Sequence, residues 1–267
     1  MRLNHTAAIL LRQYYLMRGS VARLLPLFAW VAVDILLWGF ITRYLNAVTE
    51  ASFNFVPVLL GAVLLWDFFT RVMQGVTTSF LEDVWSRSFL NLFATPLTIA
   101  EYVGGLVLTS IATSLIGLVV MLVLATTIFG LSYFSFGLVL IPFLLVLFLF
   151  GIALGIAGAA IVLRLGPASE WFIWPIPAMI SPFVGVFYPL STLPQWMHYI
   201  AYLLPPSYVF EAMRAIILGK PYSSSLLLWG IALAGVYILL AGGFFIRVYR
   251  YAVRTGLLAR YSAESAS

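Results

Sequence analysis

Cysteine is absent from this 267-residue sequence, and histidine occurs only at His5 and His198. The lack of cysteine excludes disulfides, thiol nucleophiles and cysteine-ligated metals. Motifs for zinc hydrolysis (H-E-x-x-H), serine hydrolysis (G-x-S-x-G) and phosphate binding by a glycine-rich loop are also lacking. We therefore predict that this chain carries no catalytic site and binds no cofactor or metal itself.

Charged residues are scarce as well, at 9% of the chain, whereas 63% is hydrophobic and the mean hydropathy is +1.08. Soluble domains are typically about a quarter charged. This composition predicts an all-α integral membrane protein whose main solvent is lipid. The net charge of +5 comes mostly from arginines that flank apolar runs. Such residues contact anionic lipid head groups, so we expect membrane lipids and no nucleic acid as partners.

Six apolar stretches are long enough to cross a bilayer, at residues 24–42, 55–80, 103–129, 137–163, 171–190 and 226–246. If the N-terminus lies inside, the inner segments hold ten arginines and the outer segments hold three basic residues. Basic residues accumulate on the cytoplasmic side. We therefore predict a multi-pass protein of the plasma (inner) membrane, a single domain over residues 1–267, with both termini in the cytoplasm.

The segment before the first span, residues 1–23, reads as an interfacial amphipathic helix. Arg2, His5 and Arg12 lie off its apolar face, which predicts arginines directed toward lipid phosphates. The alternative is a first helical turn that simply continues into span one. The apolar face consists of Leu3, Ala7, Leu10, Tyr14 and Met17.

Residues 191–225 form an apolar stretch whose pieces are too short to cross the membrane. We predict two short helices that enter the outer leaflet and return, packed against other parts of the protein. Pro194 is expected near the start of the first helix, and Ser207 is expected to cap the second.

Small residues and prolines predict how the spans pack. Small side chains at every fourth position allow close helix contact in lipid, although they could instead line a permeation groove. Prolines within the fifth span predict a kink there. The small residues are Gly105, Thr109, Thr113 and Gly117 in span three and Gly151, Gly155 and Ala159 in span four; the prolines are Pro175, Pro177 and Pro182.

A stripe of polar residues follows one face of the second span. Charges at the bilayer centre cost about 2.5–3.5 kcal/mol each on insertion scales, so these side chains should face protein or water. Asp67 and Arg71 can pair at i,i+4, and Asp34 in span one is an additional partner. The stripe either lines a pathway or holds helices together; the internal neutralisation favours the second reading. Its members are Asp67, Arg71, Gln74, Thr78 and Glu82.

The inner loop at residues 81–100 reads as a short amphipathic helix. It begins with two acidic residues, carries Phe89, Leu92 and Phe93 on one face, and ends at Pro96. Such a helix either rests on lipid or docks to a cytoplasmic partner.

At this loop the sequence resembles the membrane subunits of ABC transporters of the type-two export family. Two motifs carry the likeness: Phe-Leu-Asn-Leu-Phe-Ala-Thr-Pro-Leu-Thr-Ile-Ala-Glu-Tyr at 89–102, and Tyr-Pro-Leu-Ser-Thr-Leu-Pro-Gln-Trp at 188–196, continued by the proline pair at 205–206. The resemblance covers nearly the whole chain. It implies two copies of this permease and two cytoplasmic ATP-binding subunits, which hold the ATP and Mg²⁺.

The resemblance also assigns roles to particular residues. It implies that residues 82–95 form the coupling helix, with Glu82, Asp83, Arg87, Phe89, Leu92, Phe93 and Pro96 in contact with the ATPase. It implies an outer gate at Pro189, Pro194, Trp196, Pro205, Pro206, Tyr208, Glu211 and Arg214. The implied function is export of a lipid, glycan, glycolipid or drug-like molecule by alternating access.

Three other classes stay open at this point. A secondary transporter is expected to show two related halves, and no internal repeat is visible. A membrane-embedded enzyme would need paired histidines or acids at the membrane edge. A structural assembly subunit would need neither feature.

Overall fold

A computed structural model describes residues 3–48, 56–86, 91–92, 95–131 and 137–257, and the regular structure in these ranges is entirely helical. A five-residue π-helical turn at Val56–Leu60 leads into α3, and a 3-10 turn at Pro167–Ser169 leads into α6. The helices are α1 (Leu3–Arg18), α2 (Val21–Val48), α3 (Gly61–Trp85), α4 (Ile99–Phe129), α5 (Leu140–Leu165), α6 (Glu170–Ile173), α7 (Ile176–Val184), α8 (Gln195–Leu203), α9 (Pro205–Ile217) and α10 (Ser224–Arg254).

Five of the described helical segments are long and apolar enough to cross a membrane. They are Phe28–Val48, Val56–Trp85, Ile99–Phe129, Gly137–Leu165 and Ser224–Arg254. The predicted spans at 24–42, 55–80, 103–129, 137–163 and 226–246 overlap them one for one. This confirms the all-helical membrane class, while the inner-membrane location and the cytoplasmic termini stay predictions.

The predicted fifth span at 171–190 is not one continuous helix. It is divided into the one-turn helix α6 and the nine-residue helix α7, which is too short to cross a bilayer. Pro175 occupies the N-cap position of α7, and Pro182 lies inside it. Prolines remove backbone donors and clash with the preceding turn, so they interrupt the helix. Gly185, with φ of 67°, then ends α7 in a backbone conformation that favours glycine.

The core of the bundle is centred on α5, which packs against α3, α9 and α10. α3 lies between α5 and α4, and α4 in turn contacts α1 and α2. The contact between α3 and α5 includes the stacked rings of Phe69 and Phe150, whose centroids are 5.6 Å apart. α1 and α8–α9 lie at opposite ends of this bundle, because α1 contacts the start of α4 and α9 contacts the start of α3.

Small residues at four-residue spacing do permit close helix contact. A Cβ added at Gly155 would lie 2.8 Å from the Met73 carbonyl oxygen, and one added at Gly105 would lie 2.5 Å from the Ile9 side chain. The packing interpretation of these glycines therefore holds, both for α5 against α3 and for α4 against α1. The threonines in the same series have another position, described below.

The segment 191–225 contains two short helices, α8 and α9, separated by a break at Leu204. The prediction that Ser207 caps the second helix is wrong. α9 begins two residues earlier, with Pro205 and Pro206 in its first turn and Leu204 at the N-cap position. Proline is pre-organised for the first helical position and needs no backbone hydrogen bond there, so the helix starts earlier than a serine cap would allow.

Candidate functional site

The polar stripe of α3 lines a partly open cavity of about 660 Å³. Ligand sites commonly enclose between about 300 and 1,000 Å³. From Glu82, in the last turn of α3 near α1, the stripe extends about 22 Å along the helix to Asp67. The cavity wall includes Gln13 and Met17 of α1, Trp30 and Asp34 of α2, Asp67, Thr70, Arg71, Gln74, Gly75, Thr78, Ser79 and Glu82 of α3, Thr109, Thr113 and Ser114 of α4, and Trp174.

In a single chain the stripe faces this cavity, and whether it lines a pathway or packs against another subunit stays a prediction. The buried face of α3, which carries Val72 and Val76, packs against the glycines of α5. The stripe lies on another face and borders the cavity, and the stem of Arg71 also contacts α4. Thr109 and Thr113 of the small-residue series also line this space. Within the described ranges, the polar residues are therefore cavity-lining, and the small residues on the other face hold the helices together.

Three charged side chains come together in the part of the cavity farthest from α1. Arg71 interacts electrostatically with both Asp67 and Asp34. The aliphatic part of Arg71 lies against α4 where Gly117 leaves room for it; a Cβ there would be 3.2 Å from Arg71 Cδ. α2, α3 and α4 thus each contribute to the position of one guanidinium group.

Several polar atoms of the cavity wall have no hydrogen-bond partner. They are Asp67 Oδ2, Thr70 Oγ1, Ser114 Oγ and Gln13 Nε2, all fully buried. Buried polar groups are normally satisfied, and each unpaired one costs about 1–3 kcal/mol. Their concentration around one cavity indicates a place where polar groups of another molecule or of water complete the bonding.

Two tryptophans of the cavity wall were not predicted as site residues. Trp30 of α2 is 65% exposed, and Trp174, at the break between α6 and α7, is 46% exposed. Trp30 lies one helical turn before Asp34, so helical spacing could have indicated it. Trp174 reaches the cavity at the break between α6 and α7; the prolines predict a kink there, but no local pattern indicates that this side chain faces the cavity.

A second cluster attaches α1 to the ends of α3 and α4. Arg12 Nη2 donates to Asp83 Oδ1 over 2.5 Å, and Tyr102 Oη donates to Asp83 Oδ2 over 2.8 Å. Burial by itself lowers the pKa of the Arg12 guanidinium, but its hydrogen bond and attraction to Asp83 outweigh burial and raise that pKa above its ordinary value. Arg12 therefore stays charged and holds a carboxylate that is 1% exposed.

His5, two helical turns before Arg12 on α1, makes a similar contact with α4. Its Nδ1 lies 3.1 Å from Glu101 Oε2, and the same oxygen accepts the backbone N–H of Thr98. Thr98 and Glu101 form a capping box that starts α4, a pattern visible in the sequence as Thr-x-x-Glu. We call the five residues His5, Arg12, Asp83, Glu101 and Tyr102 the α1 clasp.

The clasp corrects the predicted orientation of α1. His5 and Arg12 face the bundle, together with the buried Thr6, Ile9 and Gln13, while Ala7 and Tyr14 are exposed. Arg12 therefore binds a carboxylate instead of a lipid phosphate. The reason is physical: a buried carboxylate needs a paired cation far more than a phosphate at a wet surface does.

The predicted coupling residues divide into three groups. Glu82 lines the cavity, and Asp83 is buried in the clasp, so the Asp83 side chain is not presented at the surface. Leu92 is half-buried, while Pro96 is exposed in the turn that precedes α4. Arg87, Phe89 and Phe93 lie outside the described residues.

The predicted outer-gate residues come together around Arg214 of α9. Arg214 Nη2 donates to the carbonyl oxygens of Gly185 and Tyr188, the latter over 2.9 Å, and its Nη1 donates to Glu211 Oε1 over 3.3 Å. Glu211 Oε1 also accepts the backbone N–H of Leu190 over 2.9 Å. The pair thus ties the segment after α7, which contains Pro189, to α9.

The other members of that group lie around the two short helices. Pro194 is the N-cap residue of α8, as predicted for its start, and Trp196 packs edge-on against Phe183. Pro205 and Pro206 open α9, and the Tyr208 hydroxyl donates to the Tyr202 carbonyl over 2.8 Å. In the described ranges, no three His, Asp or Glu side chains cluster as metal ligands.

Five apolar helices, three of which (α2, α3 and α4) border a charge-lined cavity, define a multi-pass membrane protein. The family model for the ABC-2 type transporter matches residues 8–218, and the chain belongs to this family. It is thus the membrane subunit of an ABC transporter, a transport component and not an enzyme, whose ATPase is a separate subunit. This confirms the resemblance read from the two motifs. The comparison with curated proteins found no significant match.

Proposed function

We propose that this chain is the permease of an exporter that uses the described cavity as part of its substrate pathway. Two copies would assemble with two ATP-binding subunits in the plasma (inner) membrane, with both termini cytoplasmic. ATP and Mg²⁺ would be bound by those subunits, and ATP hydrolysis would drive alternating access. The substrate would be a lipid, glycan, glycolipid or drug-like molecule.

The proposal rests on one observation: the cavity and the 81–100 loop meet at the same end of α3. Glu82 lines the cavity in the last turn of α3, and the next residue, Asp83, belongs to the α1 clasp. A force applied to the loop would therefore reach the cavity wall directly through α3. The clasp would carry α1 along with the same movement, because Arg12 and His5 hold both helices that flank the loop.

The opposite end would form the outer gate. Arg214 and Glu211 of α9 hold the segment that follows α7 through the backbone of Gly185, Tyr188 and Leu190. A unit tied by charge-assisted hydrogen bonds moves as one piece more readily than a set of independent turns. We propose that this unit shifts against α2, where Trp38 stacks on Phe187 with centroids 5.0 Å apart.

The direct test is purification of the tagged full-length chain from its native membrane. We expect an ABC ATP-binding subunit to co-purify, and the complex to hydrolyse ATP. Phe93→Asp should leave membrane insertion intact but release the ATP-binding subunit or uncouple its hydrolysis. Tyr222→Asp, a change of an aromatic residue just before α10 and far from the loop, is the matched control. Full retention of a coupled ATPase in Phe93→Asp would count against docking through this loop.

A further inference from the structure

We propose that the cavity selects amphiphilic organic cations: lipophilic molecules that carry a positively charged amine or an equivalent onium group. The inference rests on the proposed function, since it names the substrate class of the same cavity. It is carried by an imbalance of charge, by the unpaired atoms of the wall and by the position of two aromatic rings.

Among the described side chains, the cavity wall holds more acidic than basic groups. Asp34 and Asp67 share one guanidinium, Arg71, so that region has one carboxylate more than it has cations. An extra carboxyl group among apolar helices is kept neutral by a proton unless an opposite charge joins it. A cationic group of the substrate supplies that charge.

Asp67 marks the place where the cation binds. Its Oδ2 is fully buried without a hydrogen-bond partner, and Thr70 and Ser114 add unpaired hydroxyl oxygens to the same cavity wall. A carboxylate oxygen only accepts hydrogen bonds, and a hydroxyl oxygen can accept as well as donate, so together they can bind a group that donates several hydrogen bonds or carries positive charge. An anionic group would instead meet two carboxylates for a single guanidinium.

The apolar part of the ligand is matched by aromatic surface. Trp30 and Trp174 border the cavity with much of their side chains exposed. Tryptophan is the aromatic side chain that binds cations most strongly through its ring face, and it also offers large apolar area. Acidic residues with nearby tryptophans therefore select for a lipophilic cation, while a neutral sugar gains nothing from the excess charge.

The test compares two probes of nearly equal shape and opposite charge. Tetraphenylphosphonium and tetraphenylborate are offered to the purified full-length chain in nanodiscs of phosphatidylcholine, with empty nanodiscs subtracted. We expect saturable binding of the phosphonium and none of the borate. Asp67→Asn and Asp34→Asn should each weaken phosphonium binding by about tenfold, equivalent to about 1.4 kcal/mol. Glu170→Gln removes a carboxylate outside the cavity and should change nothing.

Arg71→Gln is expected to change phosphonium binding in the opposite direction from the aspartate variants, so it controls for loss of folding. It removes the competing cation, so phosphonium binding should tighten or stay equal in a protein that elutes as the parent does. Borate binding equal to phosphonium binding, or unchanged phosphonium affinity in both aspartate variants, would overturn the proposal. Phosphonium binding without a co-purifying ATPase would leave this inference standing and remove the proposed function. A coupled ATPase in a protein that does not bind phosphonium would do the reverse.

Discussion

Replacement of Arg12 by alanine should destabilise this protein far more than an interfacial arginine normally would. The change deprives Asp83, which is 1% exposed, of the guanidinium charge, while the Tyr102 hydroxyl still donates to it. Removal of one member of a buried ion pair costs about 3–5 kcal/mol. The Arg12 side chain is 27% exposed, and this partial access to solvent reduces the loss, so we expect about 3 kcal/mol.

A double-mutant cycle separates the charge from the packing. Asp83→Asn keeps an acceptor for Tyr102 but removes the negative charge that Arg12 balances. The double variant, Arg12→Ala with Asp83→Asn, should therefore be more stable than Arg12→Ala alone, because it no longer buries an uncompensated carboxylate. The assay is equilibrium unfolding of the purified chain in detergent micelles, followed by tryptophan fluorescence and checked for reversibility.

The control is Arg18→Ala, an exposed arginine at the end of the same helix, which should change the free energy of unfolding by less than about 0.5 kcal/mol. A loss in Arg12→Ala no larger than this control would refute the role of the clasp. So would a double variant less stable than Arg12→Ala, since that result would mean the arginine acts through packing of its stem.

Two further predictions concern packing and the opposite end of the bundle. Gly155→Ala should destabilise by about 1–3 kcal/mol, because the added methyl meets the Met73 carbonyl at 2.8 Å; Gly235→Ala, with open space around it, is the control in the same unfolding assay. Arg214→Ala should free the carbonyls of Gly185 and Tyr188 and raise amide hydrogen exchange at Leu190, with partial protection restored by Arg214→Lys. Unchanged exchange in Arg214→Ala would show that α9 does not hold this segment.

The membrane class and most helices could be predicted because they depend on local composition. A run of apolar residues of bilayer length forms a helix in lipid whatever surrounds it, since every backbone group must be bonded internally. Five spans followed from this rule, and the four-residue spacing of Gly151 and Gly155 correctly indicated a close contact. The predicted start of α8 at Pro194 also followed from local chemistry.

The failures arose where several local preferences compete. The 171–190 segment is apolar enough to span, yet its prolines divide it into α6 and α7. Hydropathy counts side-chain transfer energies and does not register the backbone donors that proline removes. Ser207 was assigned as a cap because serine favours that position, but the proline pair before it begins the helix earlier.

For the site, the sequence by itself determined which residues carry polar chemistry in an apolar chain. A charge inside a span is expensive, so Asp34, Asp67 and Arg71 had to be significant, and Asp67 and Arg71 had to lie on one face of the second span. The family assignment also followed from linear motifs, because the loop and the proline-rich stretch are contiguous in sequence.

Only the tertiary structure decided what those polar residues face and which distant groups they meet. The pairing of Arg12 with Asp83 spans 71 positions and that of His5 with Glu101 spans 96, so no helical period relates the partners. Trp174 reaches the cavity because the helix that carries it is broken. α5 packs against the other face of α3, so the polar stripe faces the cavity. The reason is that periodicity fixes the face of a side chain on its own helix, whereas its neighbour is fixed by how whole helices pack.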